Sequence, residues 1–548
     1  MRLKDYILVL ILFVNGHPVF AESDKCQLWQ WNTTLHLTDN EGRNYTVSPY
    51  LWVPPACKKL NAVMFSSTAI LEQTTVEDPG IRAVCAKYGI AIVWSDTQFY
   101  HDETTGLKQI DDILAQFSEI SGYDELKSVP WIPVGHSATL KMIRDMPKVK
   151  MNKLACMIMH KNNNGFGYSS EVPVLTTYGE FVEWDSYTVD LKTNGTKDKA
   201  YPAIMKAREA NIPVSYFSDP NTGHFDCSKS LMKNISKWLD DICAIRFDSE
   251  GNLKTISLEK GWVCQLPVPG FTGFKPKPYS QASDSEKINA WYPTYETALA
   301  AYNMANVSMT RKPQIAGFAD MQGNYETGWW RAIMYNIPYL LEINGTLKIK
   351  TIPYLKMPNG QYANKFTDNK NSPEYEKLYS FSNKNDDFEN SGNPLETEAM
   401  SGNLNKIDNQ TFEYIPRFNS ASYLIVKQQG NENFRSSVQP GRLNFQSITH
   451  GKENLITFPP VPNQELKQIQ AIKLNASSSS GLKVKYFVKF GAARIESTNR
   501  LIIEKENIPP KTKFPYEISV TAYQLGSQND SVKTATSVSC TFNIYNTK

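Results

Sequence analysis

The sequence has little net charge, few cysteines and almost no long apolar runs. Its formal net charge over 548 residues is +3, and no basic run indicates a nucleic-acid-binding surface. The 41% hydrophobic content is too high for a mainly disordered chain. Beyond the N-terminus, no segment approaches the ~20 apolar residues of a membrane-spanning helix. A chain of this length has room for about two to four domains.

The eight cysteines are sparse and lack the C-x-x-C spacing of a metal site. Cys85 and Cys156 lie inside apolar runs, which favours buried thiols. Other cysteines are far enough apart in sequence to allow many pairings in an oxidising compartment. Two conceivable disulfides are Cys26–Cys57 and Cys227–Cys243.

Residues 1–21 are typical of a secretory signal peptide. Arg2 and Lys4 supply the positive charge, and residues 6–14 form an apolar run too short to span a membrane. Residues 19–21 then offer a small residue at the cleavage position. We therefore expect a periplasmic or secreted protein without a transmembrane helix.

Strand and helix patterns alternate through residues 22–246, which predicts an α/β domain with a doubly wound, mostly parallel sheet. Residues 247–455 are expected to form a β-rich accessory domain of unknown role. Clean alternation of apolar and polar residues over 456–548 predicts an immunoglobulin-like β-sandwich. In a parallel α/β sheet, catalytic groups lie at the carboxyl ends of the strands.

The stretch around Ser137 is typical of a nucleophile elbow. Residues 129–134 predict a buried strand, and apolar residues at helical spacing begin at Leu140. A serine on such a sharp turn needs small residues two positions to either side. Gly135 meets this requirement, whereas Thr139 replaces the usual second glycine. The alternative interpretation is that Ser137 only caps the helix.

His224 is the predicted base. It follows Gly223 in the loop after a strand that ends at Phe217, and it precedes the last helix of the domain. An imidazole in this place can take the serine proton, and a carboxylate can then fix its tautomer and stabilise the imidazolium. The alternative interpretation of a lone loop histidine is an ordinary surface residue.

The acid is expected in the loop after the strand that ends at Thr177. Glu183, four residues after Gly179, is the first choice and Glu180 the alternative, with Asp185 a near neighbour. Serine, acid and histidine would then follow the chain order of one known triad arrangement. The acids that do not serve the triad would be ordinary solvated carboxylates.

The oxyanion hole is predicted to combine two backbone N–H groups. One belongs to Ala138, the residue after the nucleophile. The other belongs to the loop of Thr68 and Ala69, which follows an earlier strand. Glu72, just beyond that loop, either lines the pocket or starts the next helix.

Residues 45–245 resemble an α/β-hydrolase of the esterase kind. The segments that carry this resemblance are Gly135-His-Ser-Ala138, Val172-Pro-Val-Leu175 followed by Gly179-Glu180, and Gly223-His-Phe225. More narrowly, the whole chain is similar to secreted esterases of polysaccharide-degrading bacteria, through residues 480–488, 508–515 and 520–524. The resemblance implies hydrolysis of an acyl or methyl ester on a glycan.

Two functions from different classes therefore compete. The first is a secreted serine esterase that acts on a small-molecule or glycan ester through an acyl-enzyme, with no cofactor. The second is a non-catalytic glycan-binding or surface-assembly protein with a degenerate hydrolase fold. Gly328-Trp329-Trp330 would be its candidate sugar platform, although buried packing is the alternative. A peptidase or lipase would keep the mechanism and change the pocket, but no long hydrophobic lid is visible.

Overall fold

The structure is a computed structural model. It describes residues 28–38, 42–68, 70–97, 103–161, 171–179, 200–267, 272–312, 314, 316–319, 335–342, 345–352 and 390–547. Several positions discussed above lie outside these ranges: the signal-like residues 1–21, Cys26, Ala69, Glu180, Glu183, Asp185 and the segment Gly328-Trp329-Trp330.

The N-terminal part is built on a mixed eight-stranded sheet. The described residues of this part form the strands β1 (Trp31–Asn32), β2 (Leu35–Thr38), β3 (Asn44–Val47), β4 (Tyr50–Trp52), β5 (Ala62–Ser67), β6 (Ile90–Ser95), β7 (Trp131–His136), β8 (Met157–His160), β9 (Val174–Gly179) and β10 (Val214–Asp219). The order across the sheet is β1-β4-β6-β5-β7-β8-β9-β10, and β2 and β3 form a separate hairpin. The pairings from β6 to β10 are parallel, whereas β1 and β4 pair antiparallel. The sheet is mixed and mostly parallel and is accompanied by helices, so the predicted α/β class is confirmed for this part.

The parallel strands are buried along their whole length, as expected when both faces of a sheet are covered. The helices of this part are Leu71–Val76, Pro79–Tyr88, Glu103–Ser121, Leu140–Asp145, Pro147–Lys150, Ala200–Glu209 and Lys229–Arg246. Short 3-10 turns lie at Asp124–Lys127, Ser137–Thr139 and Met151–Lys153. Helix Lys229–Arg246 begins at Ser228, whose hydroxyl accepts from the Leu231 N–H, and it buries an apolar stripe that includes Ile235 and Trp238.

Residues 258–267 and 272–310 pack directly on this sheet. Strands Trp262–Gln265, Phe274–Pro278 and Ala290–Tyr292 form a small antiparallel sheet, and helices Asp284–Lys287 and Tyr295–Thr310 accompany it, with 3-10 turns at Leu258–Lys260 and Tyr279–Gln281. The Tyr292 hydroxyl donates to the Tyr216 carbonyl of β10 at 2.6 Å. Ser215 of the same strand donates to the Trp291 carbonyl at 2.6 Å. The apolar core around β10 therefore continues beyond residue 246.

The rest of the described chain is β-rich, as predicted. Its strands are Gly317–Ala319, Tyr335–Asn336, Leu340–Leu341, Thr346–Lys348, Lys350–Ile352, Leu395–Ser401, Leu404–Lys406, Thr411–Tyr414, Ser422–Gln428, Ser437–Leu443, Ile456–Thr457, Gln464–Glu465, Ile472–Lys473, Ser477–Ser478, Lys485–Phe490, Ala493–Glu496, Arg500–Ile503, Tyr516–Tyr523 and Val538–Tyr545, with a 3-10 turn at Lys505–Asn507. They form several sheets of two to four strands. Ile518, Val520 and Ala522 alternate with polar residues and are fully buried, as their sequence phase predicts.

The seven cysteines within the described ranges are separate thiols. Cys85 and Cys156 are fully buried, which confirms that prediction. Cys227 and Cys243 are also buried and free, so this conceivable disulfide is wrong. Cys57 is free too, which removes its pairing with Cys26, and its thiol donates to the Lys59 carbonyl at 3.1 Å. Burial raises the pKa of the Cys243 thiol well above its usual value, as expected for an inert core thiol.

No helix in the described part of the chain combines the length and apolarity that a bilayer crossing requires.

Candidate active site

Ser137 stands on a strained turn between β7 and helix Leu140–Asp145. Its φ is +54°, in the left-handed region that non-glycine residues seldom occupy. A Cβ on Gly135 would lie 2.5 Å from Ile143 Cδ1 and 2.9 Å from Thr139 Oγ1, so a larger residue would have to displace these side chains. Ser137 is half-buried and Ala138 is exposed. The turn therefore presents the serine at the carboxyl end of a central strand, as a nucleophile elbow requires.

His224 reaches Ser137 from the loop after β10. Its Nε2 lies 2.8 Å from Ser137 Oγ, and its side chain is only 6% exposed. The serine hydroxyl can donate its proton to this ring nitrogen, which is the arrangement of a nucleophile with its general base. The structure thus brings together the two residues that the sequence pattern singles out.

Two buried carboxylates brace the loop that carries His224. Asp226 Oδ1 accepts from the Gly223 N–H at 2.5 Å. Asp219, at the end of β10, accepts from the Ser228 N–H at 2.8 Å and from the Ser228 hydroxyl at 2.5 Å. Burial raises the pKa of Asp219 to about 6. These loop-bracing acids had no sequence signal beyond their position next to the histidine.

The end of β9 touches the histidine loop. Gly179 pairs with Asp219 of β10, and a Cβ on Gly179 would lie 2.3 Å from the Gly223 carbonyl oxygen. Only glycine allows this approach of two backbones. The chain therefore leaves β9 beside His224. The candidate acids Glu183 and Glu180 follow at once, and they stay predictions because both lie outside the described residues.

The predicted oxyanion loop needs one correction. The Thr68 N–H donates to the Ser95 carbonyl at 2.8 Å, which continues the pairing of β5 with β6. This N–H is already used, so it does not serve as the predicted oxyanion donor. Of the other two predicted donors, Ala69 lies outside the described residues, and Ala138 is the second residue of the 3-10 turn Ser137–Thr139.

A buried polar network behind the elbow was missed by the sequence analysis. Thr139 Oγ1 accepts from the His136 N–H at 2.8 Å and donates to Glu72 Oε1 at 2.8 Å. His136 Nε2 lies 2.8 Å from the His224 carbonyl oxygen. Its Nδ1 lies 3.9 Å from Glu72 Oε2. The sequence signal of this network was Thr139, which stands where the nucleophile-elbow pattern usually has its second glycine.

Glu72 and His136 in this network are both uncharged at neutral pH. Burial lowers the pKa of His136 well below its usual value, and the neighbouring His224 acts in the same direction. Burial raises the pKa of Glu72 to about 8, against hydrogen bonds from Thr139 and Thr68 that lower it. Because a carbonyl can only accept, His136 Nε2 carries the proton that bonds His224. Nδ1 is then the unprotonated nitrogen, and it faces a protonated Glu72.

His160, at the end of β8, is a second buried neutral histidine. Its Nε2 lies 2.9 Å from Thr75 Oγ1 and its Nδ1 3.3 Å from Thr177 Oγ1. Burial lowers its pKa to about 3, as is typical of a core histidine satisfied by hydroxyls. Among the residues that the structure describes, no group of three or more His, Cys, Asp or Glu side chains is placed to hold a metal ion.

Comparison with known proteins adds only distant structural similarity. No family model matches the chain, and no curated protein matches its sequence. Among solved structures, the esterase domain of a Rhodothermus marinus protein is 11% identical, covering 38% of this chain and 96% of that one at a TM-score of 0.23. An α/β serine hydrolase without a lid from Xanthomonas campestris is 11% identical over 41% and 96% of the two chains, with a TM-score of 0.26. A cold-adapted esterase from an Arctic intertidal metagenomic library is 11% identical over 38% and 92%, also at 0.26.

Proposed function

We propose that the N-terminal part of this protein is a serine hydrolase. The observation that carries the proposal is the 2.8 Å contact between Ser137 Oγ and His224 Nε2, made by a serine in a left-handed turn. A serine that only capped the helix would need neither the strained φ nor a buried imidazole as partner. More narrowly, we propose a carboxylic ester hydrolase.

The mechanism follows from the roles that this geometry permits. Ser137 attacks the ester carbonyl while His224 takes its proton, and the imidazolium then protonates the departing alcohol. Water, activated by the same imidazole, releases the acid from the acyl-enzyme. The Ala138 N–H, with a second donor from the loop after β5, stabilises the oxyanion. Glu183 orients His224, with Glu180 as the alternative acid.

The natural substrate is proposed to be an acyl or methyl ester on a glycan, met after export. Support for export comes from the signal-like residues 1–21, and support for the glycan comes from the resemblance to secreted esterases of polysaccharide-degrading bacteria. Residues 456–548 are proposed to be an immunoglobulin-like spacer, and the support is that strand Tyr516–Tyr523 pairs antiparallel with both Lys485–Phe490 and Val538–Tyr545 in this segment. A peptidase or lipase would use the same residues on another substrate.

The test is hydrolysis of a chromogenic acetate by the wild type and by Ser137→Ala. We expect a fall in kcat of about 10⁴-fold or more. The thermal midpoint should stay within a few degrees, because the lost hydroxyl is small and half-buried. Ser128→Ala is the matched control, since this hydroxyl lies three residues before β7 and only bonds the Glu125 carbonyl.

Two results would overturn the proposal. One is turnover that persists in Ser137→Ala. The other is a folded wild type that neither cleaves activated esters nor reacts with a fluorophosphonate at Ser137. The second result would favour the glycan-binding alternative, and binding to immobilised glycans would then be measured.

A further inference from the structure

The β-rich part of the chain is bonded to the loop that follows β5. Strand Leu395–Ser401 ends beside this loop. Two hydrogen bonds join this strand end to the loop and to the helix Leu71–Val76 that follows it: the Ile70 N–H to Ser401 Oγ (3.1 Å) and the Gly402 N–H to Gln73 Oε1 (3.0 Å). The Thr74 hydroxyl, which bonds the Ile70 carbonyl at 2.6 Å, also lies 2.9 Å from the Met400 carbonyl. Met400, Ser401 and Gln73 are all buried. Hydrogen bonds in such a dry place are directional and costly to lose.

The loop held in this way is strained. Ile70 has φ +96° and ψ −123°, and Thr68 has φ +75°. A positive φ in a β-branched residue is an outlier, and it persists only where the surroundings hold it. Ser401 supplies one such restraint, because its hydroxyl accepts the N–H of the strained Ile70 itself.

The same loop leads directly to the elbow. Two residues after Ile70, Glu72 accepts from Thr139 Oγ1 at 2.8 Å. Thr139 in turn accepts the N–H of His136, the residue before Ser137. A short path of hydrogen bonds and covalent backbone thus runs from Ser401 to the serine turn.

The histidine loop is also held by residues from beyond the sheet domain. The Asn221 side chain is fully buried, and its Nδ2 donates to the Gln314 carbonyl at 2.7 Å and to the Ser436 carbonyl at 3.1 Å. Asn221 itself has φ +59° and lies three residues before His224. Both loops that flank Ser137 therefore take part of their shape from chain that follows residue 310.

We propose that the β-rich segment of residues 390–443 is a positioning element of the active site, and that Ser401 is its positioning residue for the oxyanion loop. This inference rests on the proposed serine hydrolase function. On this view Ser401 touches no substrate. It fixes the backbone at Ile70 and, through Glu72 and Thr139, the turn that carries Ser137, so that the site is arranged in advance for the charge that develops only in the transition state.

The test compares the full-length wild type with Ser401→Ala and Ser401→Thr on a chromogenic acetate. We expect Ser401→Ala to lower kcat about tenfold with little change in KM, because the oxyanion donor matters in the transition state. The affinity for phenylboronic acid, which forms a tetrahedral adduct with a nucleophilic serine, should fall in parallel. Ser401→Thr keeps the hydroxyl, so it should restore most of the kcat and most of the affinity for phenylboronic acid.

The matched control is Ser479→Ala. The Ser479 hydroxyl also accepts a distant backbone N–H, that of Leu455, but it lies among the C-terminal sheets. Hydrogen exchange of residues 70–76 should be faster in Ser401→Ala and unchanged in Ser479→Ala, since only the first variant frees the Ile70 amide.

The possible failures are distinguishable. If the wild type has no Ser137-dependent turnover, the proposed function fails and the inference fails with it. If the wild type is active while Ser401→Ala keeps its kcat, boronate affinity and exchange rates, only the inference is overturned. An equal loss of kcat in Ser401→Ala and Ser479→Ala would mean general destabilisation, and this result would also overturn the inference about Ser401.

Discussion

His136 Nε2 lies 2.8 Å from the backbone carbonyl oxygen of His224, and the two rings are 4.9 Å apart. The residue before the proposed nucleophile therefore holds the backbone of the proposed base. This bond joins the end of β7 to the loop after β10, two strands that are not neighbours in the sheet. The separation between Ser137 Oγ and the His224 ring thus depends on a second, buried histidine.

The first prediction concerns this bond. His136→Ala should lower kcat for an activated ester by about 10- to 100-fold, because a shift of the His224 backbone displaces the imidazole from the serine. Steady-state kinetics with the denaturation midpoint measured alongside would separate misplacement from unfolding. His136→Gln is the matched variant, since its amide can still donate to the carbonyl and should recover part of the rate. Wild-type kcat in a folded His136→Ala protein would contradict the positioning role.

The second prediction concerns Glu72 and pH. Its pKa is about 8 in the folded protein against an ordinary value of 4.5, so the folded state keeps a proton that the unfolded state releases between these values. The stability gained from this proton is complete below pH 4.5 and is lost as the pH rises through 8. Glu72→Gln keeps an uncharged side chain, so from pH 5 to pH 9 it should gain on the order of 4 kcal/mol relative to the wild type.

Urea unfolding of both proteins at pH 5 and pH 9 measures this difference. The contribution of the histidines to the pH dependence of stability cancels, because both proteins contain the same histidines. Glu250→Gln removes the same charge from an exposed position and should show no such relative gain. A Glu72→Gln protein that loses stability relative to the wild type on going to pH 9 would mean that the carboxylate form is the stabilising one.

The third prediction concerns the acid. Glu183→Gln should depress kcat by about 10³- to 10⁴-fold, because an amide cannot stabilise the imidazolium or fix its tautomer in the same way. Glu180→Gln, three residues away in the same loop, should retain most of the rate and is the matched control. Comparison of kcat for the two variants decides the assignment, and a large loss confined to Glu180→Gln would reverse it.

Much of the sheet and the Ser137–His224 pair could be predicted from sequence, because their signals are local. A buried strand, a glycine two residues before a serine and a helical repeat after it lie within one short stretch around Ser137. His224 is marked by a similar short-range pattern, a glycine and a strand end before it and a helix after it. The rule that catalytic groups gather at the carboxyl ends of parallel strands then brings the two loops together.

The rest depends on contacts that sequence spacing does not encode. Thr139 looked like a departure from the glycine pattern, yet its hydroxyl has a partner 67 residues earlier in Glu72. The sequence left the Thr68 N–H available as an oxyanion donor, but in the structure this N–H donates to the carbonyl of Ser95, the last residue of β6. Cys227 and Cys243 looked like possible partners, but no spacing rule could show that each thiol lies alone in the core.

The hydrogen bond between Ile70 and Ser401 spans 331 residues of chain. During synthesis, N-terminal segments fold first, so the strands of the large sheet are available well before residue 401 emerges from the ribosome. Loop closure over so long a separation is also slow relative to local folding. Catalytic activity would then develop only once the chain is complete. An interrupted translation product would contain Ser137 and His224 but no fully formed hydrolytic centre.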